Sequence, residues 1–149
     1  MKLNIECYDS INVITSYSNN YIEINFIRYY NTIWFTTVSS IFNWESKDTK
    51  YVDKNDLLLI NNIFTKHTYF LKKKSYIFSF GNKYPDIFIL GTGLKKKLFN
   101  NNMIKILNFL NISSEIMDNK SAARTYNILV SEKRNVAAAF FLSNLNYMI

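Results

Sequence analysis

Gly91-Thr92-Gly93 directly follows the apolar run Ile87-Phe88-Ile89-Leu90 and precedes a stretch with helical spacing. A glycine turn between strand and helix leaves backbone N–H groups at the positive end of the helix dipole, where phosphate or carboxylate can be held. Asp118 falls at the end of the next expected strand, where a dinucleotide fold places the acid that grips a ribose. Two features oppose dinucleotide binding. Lys96 stands where G-x-G-x-x-G needs its third glycine, and the residues after Asp118 suffice for only one more helix and strand. The open readings are a small-anion or nucleotide-binding site, which a cryptic enzyme could use, and a plain tight turn where sheet meets helix.

Arg124 and Asn127 are the second pair able to do chemistry. On a helix beginning after Asp118, positions 124, 127, 128 and 131 share one face, opposite Ala122, Ala123, Tyr126 and Leu129. A forked donor beside an amide that can donate or accept could hold a carboxylate or phosphate. Alternatively, Arg124 pairs with Asp118 or Glu115 and stitches helix to sheet. The candidate ligand or partner cleft therefore comprises Gly91, Thr92, Gly93, Asp118, Arg124 and Asn127.

Catalytic and metal sets are missing from the sequence. His67 is the single histidine, and neither H-x-x-x-H nor C-x-x-C spacing occurs, so no metal site is expected. A Ser/His/Asp triad using His67 is combinatorially possible, but no G-x-S-x-G elbow supports it. The carboxylates of Glu23, Asp86, Glu115 and Asp118 have no spacing that pairs two of them for acid–base work. The expectation is a protein that is not an enzyme and needs no cofactor. Lys72-Lys73-Lys74 and Lys95-Lys96-Lys97, with Tyr69, Phe70, Tyr76 and Phe99 nearby, could offer charge and stacking to nucleic acid. Neither run sits in a nucleic-acid module, so solvated loops are expected. The net charge of +7 favours anionic partners, yet the bias toward Asn, Ile, Lys, Tyr and Phe also fits AT-rich codons, with the charge serving only solubility.

The elements that must position these residues follow from periodicity. A chain of 149 residues is the size of one domain, and one domain over 1–149 is expected. Residues 21–26 alternate Ile22, Ile24 and Phe26 with polar neighbours, a strand period, and the β-branched and aromatic run 33–38 is a second strand. Residues 28–31 are expected to connect them. Residues 53–66 carry Leu57, Ile60 and Phe64 at helical spacing, and a short strand is expected at 75–80. Strand 87–90, a helix with Phe99, Met103, Ile106, Leu107 and Leu110 inward, strand 112–117, helix 120–132 capped by Asp118 or Asn119, and buried strand 136–142 follow. Alternating strands and helices imply crossovers and an α/β fold with largely parallel pairing after an N-terminal β portion. The single Cys7 and the lack of a presequence or an apolar run of membrane-spanning length point to the cytoplasm.

Four blocks carry a resemblance. Pro85-Asp86 followed by Leu90-Gly91-Thr92-Gly93, then Glu115-Ile116-Met117-Asp118, then Ala123-Arg124-Thr125-Tyr126-Asn127-Ile128-Leu129, and last Glu132-Lys133-Arg134-Asn135-Val136-Ala137-Ala138-Ala139 stand in order and in matching spacing. Together they resemble the family of NADH dehydrogenase (complex I) assembly factors, which includes the adipogenesis-associated Mth-domain protein. The N-terminal half agrees only in strand pattern and Trp44. Asn119-Lys120-Ser121 departs from the family's T-P-type helix start, and residues 144–149 are extra. The resemblance implies a compact three-layer domain with a mixed central sheet, and no required cofactor or known reaction. It also implies a protein partner, either a respiratory-enzyme subunit or a second assembly factor. A bacterial, cytoplasmic member is expected over a mitochondrial one. An exposed aromatic patch on the N-terminal sheet, involving Trp34 or Trp44, is the feature expected of a docking protein.

Overall fold

Isoleucines dominate the first three strands. β1 (Ile14–Tyr17), β2 (Ile22–Ile24) and β3 (Ile27–Tyr29) form an antiparallel sheet in the order β1-β2-β3. The computed structural model describes residues 11–44, 85, 87–93 and 113–142. The expected helices over 53–66 and around positions 99–110, the strand at 75–80, both Lys runs, His67 and Cys7 lie outside the described residues.

β2 bears out the alternation at Ile22 and Ile24. The expected connector at 28–31 is corrected, because Ile27–Tyr29 is itself a strand. The true turn is Asn25-Phe26, with φ of 50° and 69°. Both central residues at positive φ give the twist that a two-residue hairpin needs. Asn25 suits that conformation, whereas Phe26 stands where glycine normally does. The surroundings hold it there. Asn25 accepts from Val13 N–H at 3.1 Å and donates its amide to Ile11 O at 2.9 Å, while Phe26 N–H donates to Thr15 Oγ1 at 3.1 Å.

A five-stranded sheet runs β5-β4-β8-β6-β7, built from β4 (Ile33–Thr36), β5 (Phe42–Asn43), β6 (Ile87–Gly91), β7 (Ser113–Met117) and β8 (Val136–Phe140). β6 pairs parallel with both β7 and β8, while β4 pairs antiparallel with β5 and β8. The sheet is mixed, as expected. Among the described ladders, however, it is evenly divided rather than largely parallel. The fully buried Val-Ala-Ala-Ala-Phe of β8 suits a central strand covered on both faces.

The helix α1 (Asn119–Ser131) starts one residue earlier than its spacing predicts, and Asp118 Oδ1 caps it by accepting from Ser121 N–H at 2.7 Å. Its inward residues Ala122, Ala123, Tyr126 and Val130 join one hydrophobic cluster with Ile14, Ile22 and Ile24 of the small sheet and Phe35, Ile89, Ala138 and Phe140 of the large one. Tyr126 meets Phe35 edge-on, centroids 5.2 Å apart, and donates its hydroxyl to Asn12 O at 2.7 Å. Burial pushes the pKa of that hydroxyl up, so it stays a donor. Asn12 in turn donates its side-chain amide to Thr36 O and Ser39 O, each at 2.7 Å, fastening the entry to β1 onto the end of β4.

The strain at Phe26 has a measurable consequence. A left-handed residue costs about 1–2 kcal/mol and glycine returns about 0.5–1 kcal/mol of chain entropy. At 72% exposure Phe26 buries little that glycine would lose. Phe26→Gly should therefore stabilise the fold by about 0.5–1 kcal/mol, seen as a higher urea midpoint with an unchanged slope.

Candidate functional site

At the ends of β6, β7 and β8, the Gly91-Thr92-Gly93 turn meets the first turn of α1. Thr92 N–H and Oγ1 donate to Met117 O at 2.9 and 3.2 Å. Gly93 N–H donates to Asn119 Oδ1 at 3.0 Å, and Asn119 N–H returns a bond to Gly93 O at 2.8 Å. The other end of the same amide donates to Phe141 O at 3.0 Å, and Phe141 N–H donates to Gly91 O at 2.9 Å. The turn is thus closed onto its neighbours, with the amides of Thr92 and Gly93 both spent inside the fold.

Asn119 is the hub of this junction, only 6% exposed. Sequence reasoning considered it only as a cap and as a departure from the T-P-type start. Its signal was the pairing with Gly91. A Cβ on Gly91 would run into Asn119 Oδ1 and come within 2.9 Å of Phe140 Cδ1. Glycine is needed there for close approach, which leaves room for a buried amide.

The six candidate cleft residues divide. Gly91, Thr92, Gly93 and Asp118 gather at the strand ends. Beside them lies a groove of about 520 Å³, bounded by residues 17–20 of the β1–β2 turn on one side and by Gly93, Asn119 and Lys120 on the other. Among the described residues its one charged lining group is Lys120. Arg124 is exposed on the outer face of α1 and is not part of that lining. Asn127 points to the small sheet, accepting from Ile14 N–H at 3.0 Å and donating to Ile14 O at 2.8 Å. Arg124 and Asn127 lie one turn apart on the helix, as read from the sequence, but the amide of Asn127 is committed to β1.

The tryptophans do not form the exposed patch that would favour docking. Trp34 and Trp44 are 2% and 5% exposed, stacked on Phe42 at 4.5 Å and tilted against Phe141 at 5.3 Å. The small sheet does expose apolar residues, along and beside β3: Phe26 at 72%, Ile27 at 59% and Tyr30 at 51%. Arg28 lies among them, its guanidinium carbon 4.4 Å above the Tyr21 ring and its Nε 3.0 Å from Glu23 Oε2. The Glu23 carboxylate holds the Arg28 pKa above its ordinary value. Among the described residues no three His, Cys, Asp or Glu side chains group as metal ligands, and no helix is long and apolar enough to cross a membrane.

Comparison with known proteins gives a family and a fold. The profile of the family described as "Protein of unknown function (DUF498/DUF598)" matches residues 14–141. A crystal structure of a Bordetella parapertussis protein is similar at 25% identity and a TM-score of 0.63, over 90% of this chain and 98% of that one. A solution structure of a Bordetella pertussis protein described as a Mth938-like domain is similar at 24% identity and a TM-score of 0.67, over 100% and 98%. A Bartonella henselae protein described as an outer membrane protein shares the fold at 18% identity and a TM-score of 0.65, over 93% and 100%. No curated protein matches the chain.

The junction makes a clear prediction. Asn119→Ala should cost about 2 kcal/mol by stranding Gly93 N–H and Phe141 O, and Gly91→Ala about 2–3 kcal/mol by overpacking. Because the alanine methyl collides with the Asn119 amide, the double variant should lose measurably less than the sum of the two, by denaturant titration of all four proteins. Separately, Asn127→Ala should cost about 2 kcal/mol by unpairing both backbone groups of Ile14.

Proposed function

This chain belongs to the DUF498/DUF598 family, and we propose that it is a non-catalytic docking protein whose anchor is the tip of the β2–β3 hairpin. The observation that carries this reading is Phe26, a large aromatic residue 72% exposed in a left-handed turn that is held by the bond from the Asn25 amide to Ile11 O and the bond from Phe26 N–H to Thr15 Oγ1. Strained backbone persists where its surroundings enforce it, often at sites of contact. An aromatic fixed before binding loses little entropy on docking, the property of an interface hot spot. Ile27, 59% exposed, continues this apolar surface along β3, while Tyr30 lies on the opposite face, edge-on to Tyr21.

The resemblance to complex I assembly factors supports the identity of the partner, a respiratory-enzyme subunit or a second assembly factor. A single domain over 1–149, a three-layer arrangement and a cytoplasmic bacterial setting belong to the same proposal. The small-anion alternative, with Gly91-Thr92-Gly93 and Arg124 as the site, has less support, because the turn amides of Thr92 and Gly93 are satisfied internally.

Photo-crosslinking tests the docking reading. With p-benzoylphenylalanine at position 26, native extract should yield an adduct with a respiratory-enzyme subunit or another assembly factor. The same group at position 128, also exposed and apolar at 58%, should not. Phe26→Ala should weaken the isolated complex by about 2 kcal/mol, roughly thirtyfold in Kd. Identical adducts at both positions, or none at 26, would remove the anchor.

A further inference from the structure

The small sheet has two edges, and they are treated differently. At β1, Asn127 supplies an acceptor to Ile14 N–H and a donor to Ile14 O, at 3.0 and 2.8 Å. One side-chain amide thus stands in for a neighbouring strand. At β3 no such substitute appears among the described residues, and the sheet order ends there.

The register fixes what that edge offers. A two-residue turn makes Ile24 and Ile27 a hydrogen-bonded pair, so Glu23 and Arg28 are a non-hydrogen-bonded pair and Ile22 and Tyr29 are bonded again. Arg28 N–H and C=O consequently point away from β2. On the face that carries Ile22 and Ile24 into the core, Ile27 is left 59% exposed, so the apolar face of the sheet runs out uncovered. On the opposite face the Arg28 side chain is 51% exposed, while its partner Glu23 is only 13% exposed and also accepts from Thr15. The cation is the member of that pair shown to solvent, in a chain of net charge +7. Proteins that guard an edge shorten it or stud it with charge. β3 is short, but its one charge lies over Tyr21, and apolar Phe26, Ile27 and Tyr30 surround it.

We propose that β3 is a strand-addition site for an extended partner segment that alternates apolar residues with a carboxylate placed opposite Arg28. This rests on the docking reading and names the partner chemistry it requires. An added strand pairs one residue directly with Arg28, on the face of the guanidinium, and its two neighbours fall beside Ile27 and Tyr29 on the apolar face. Backbone bonds to Arg28 supply register. The alternation supplies selectivity.

The test uses the full-length, ¹⁵N-labelled chain and an acetylated, amidated octapeptide alternating valine and glutamate, with a valine–lysine octapeptide as control. The glutamate peptide should shift the amides of residues 27–30 saturably and slow hydrogen exchange at Arg28, while the lysine peptide binds at least roughly tenfold more weakly. Arg28→Pro removes the outward donor without touching the inner ladder and should abolish those shifts. Arg28→Glu, which keeps the backbone donor, should invert the preference between the two peptides. Absence of shifts at β3 with millimolar peptide, equal binding of both peptides, or unchanged binding by Arg28→Pro would overturn strand addition. Adducts at position 26 without peptide binding at β3 would leave docking standing and remove only the strand.

Discussion

Two sheets that share no ladder among the described residues are joined by the bonds of Asn12 to the end of β4 and by one turn of one helix. Tyr126 and Asn127, consecutive on α1, reach the backbone of Asn12 and Ile14 on the same approaching segment. Hydrogen bonds of this kind contribute only about 1 kcal/mol each, but they decide register. The Tyr126 ring is wholly buried against Phe35 of the large sheet while its hydroxyl fixes the small one. Sliding β1 by one residue would strand the hydroxyl, both Asn127 atoms and the isoleucine face together. That coupling makes the contact specific rather than merely sticky.

A second joint repeats the device at the opposite end of the helix. The missing Cβ of Gly91 makes room for the Asn119 amide, which ties the turn after β6 to the exit from β8. Both joints use a buried or half-buried asparagine with both amide atoms satisfied by backbone. Such an arrangement removes polar groups from water without the penalty of leaving them unpaired. The amides of Thr92 and Gly93 are likewise spent inside the fold. A glycine turn at a helix start offers amides to an anion only if the fold has not already claimed them.

Local periodicity made the C-terminal half legible. The strand at 87–90, the strand ending at Met117, the helix cap at Asp118 and the alanine-rich last strand all followed from spacing, and their structures agree within a residue or two. β1 was not legible, because Thr15 and Ser16 are buried beside Ile14 and break any alternation. β3 was hidden by its own exposure, since a strand reading Ile-Arg-Tyr at an edge has no buried face to betray it. The inward face of α1 was read correctly at Ala122, Ala123, Tyr126 and Val130, but not the partner of Asn127, which lies 113 positions away. No local pattern encodes a contact at that separation. The tryptophans misled for the converse reason: large aromatic residues bury well, and both fill the core.

The residues that made the family recognisable are, in this structure, mostly residues that build joints. Gly91 makes room, Thr92 bonds to Met117, Asp118 caps, and Tyr126 and Asn127 dock the small sheet. A signature composed of such residues specifies a fold and is silent on chemistry. Function then has to be sought where the signature is weak, in the N-terminal sheet. There the two edges differ in a way that packing alone does not demand. One is sealed by a side chain that imitates a strand, and the other ends in a strained, exposed aromatic turn. A fold that invests two hydrogen bonds in closing one edge has a ready means of closing the other, and no such closure of β3 occurs among the described residues, the contrast from which strand addition is proposed.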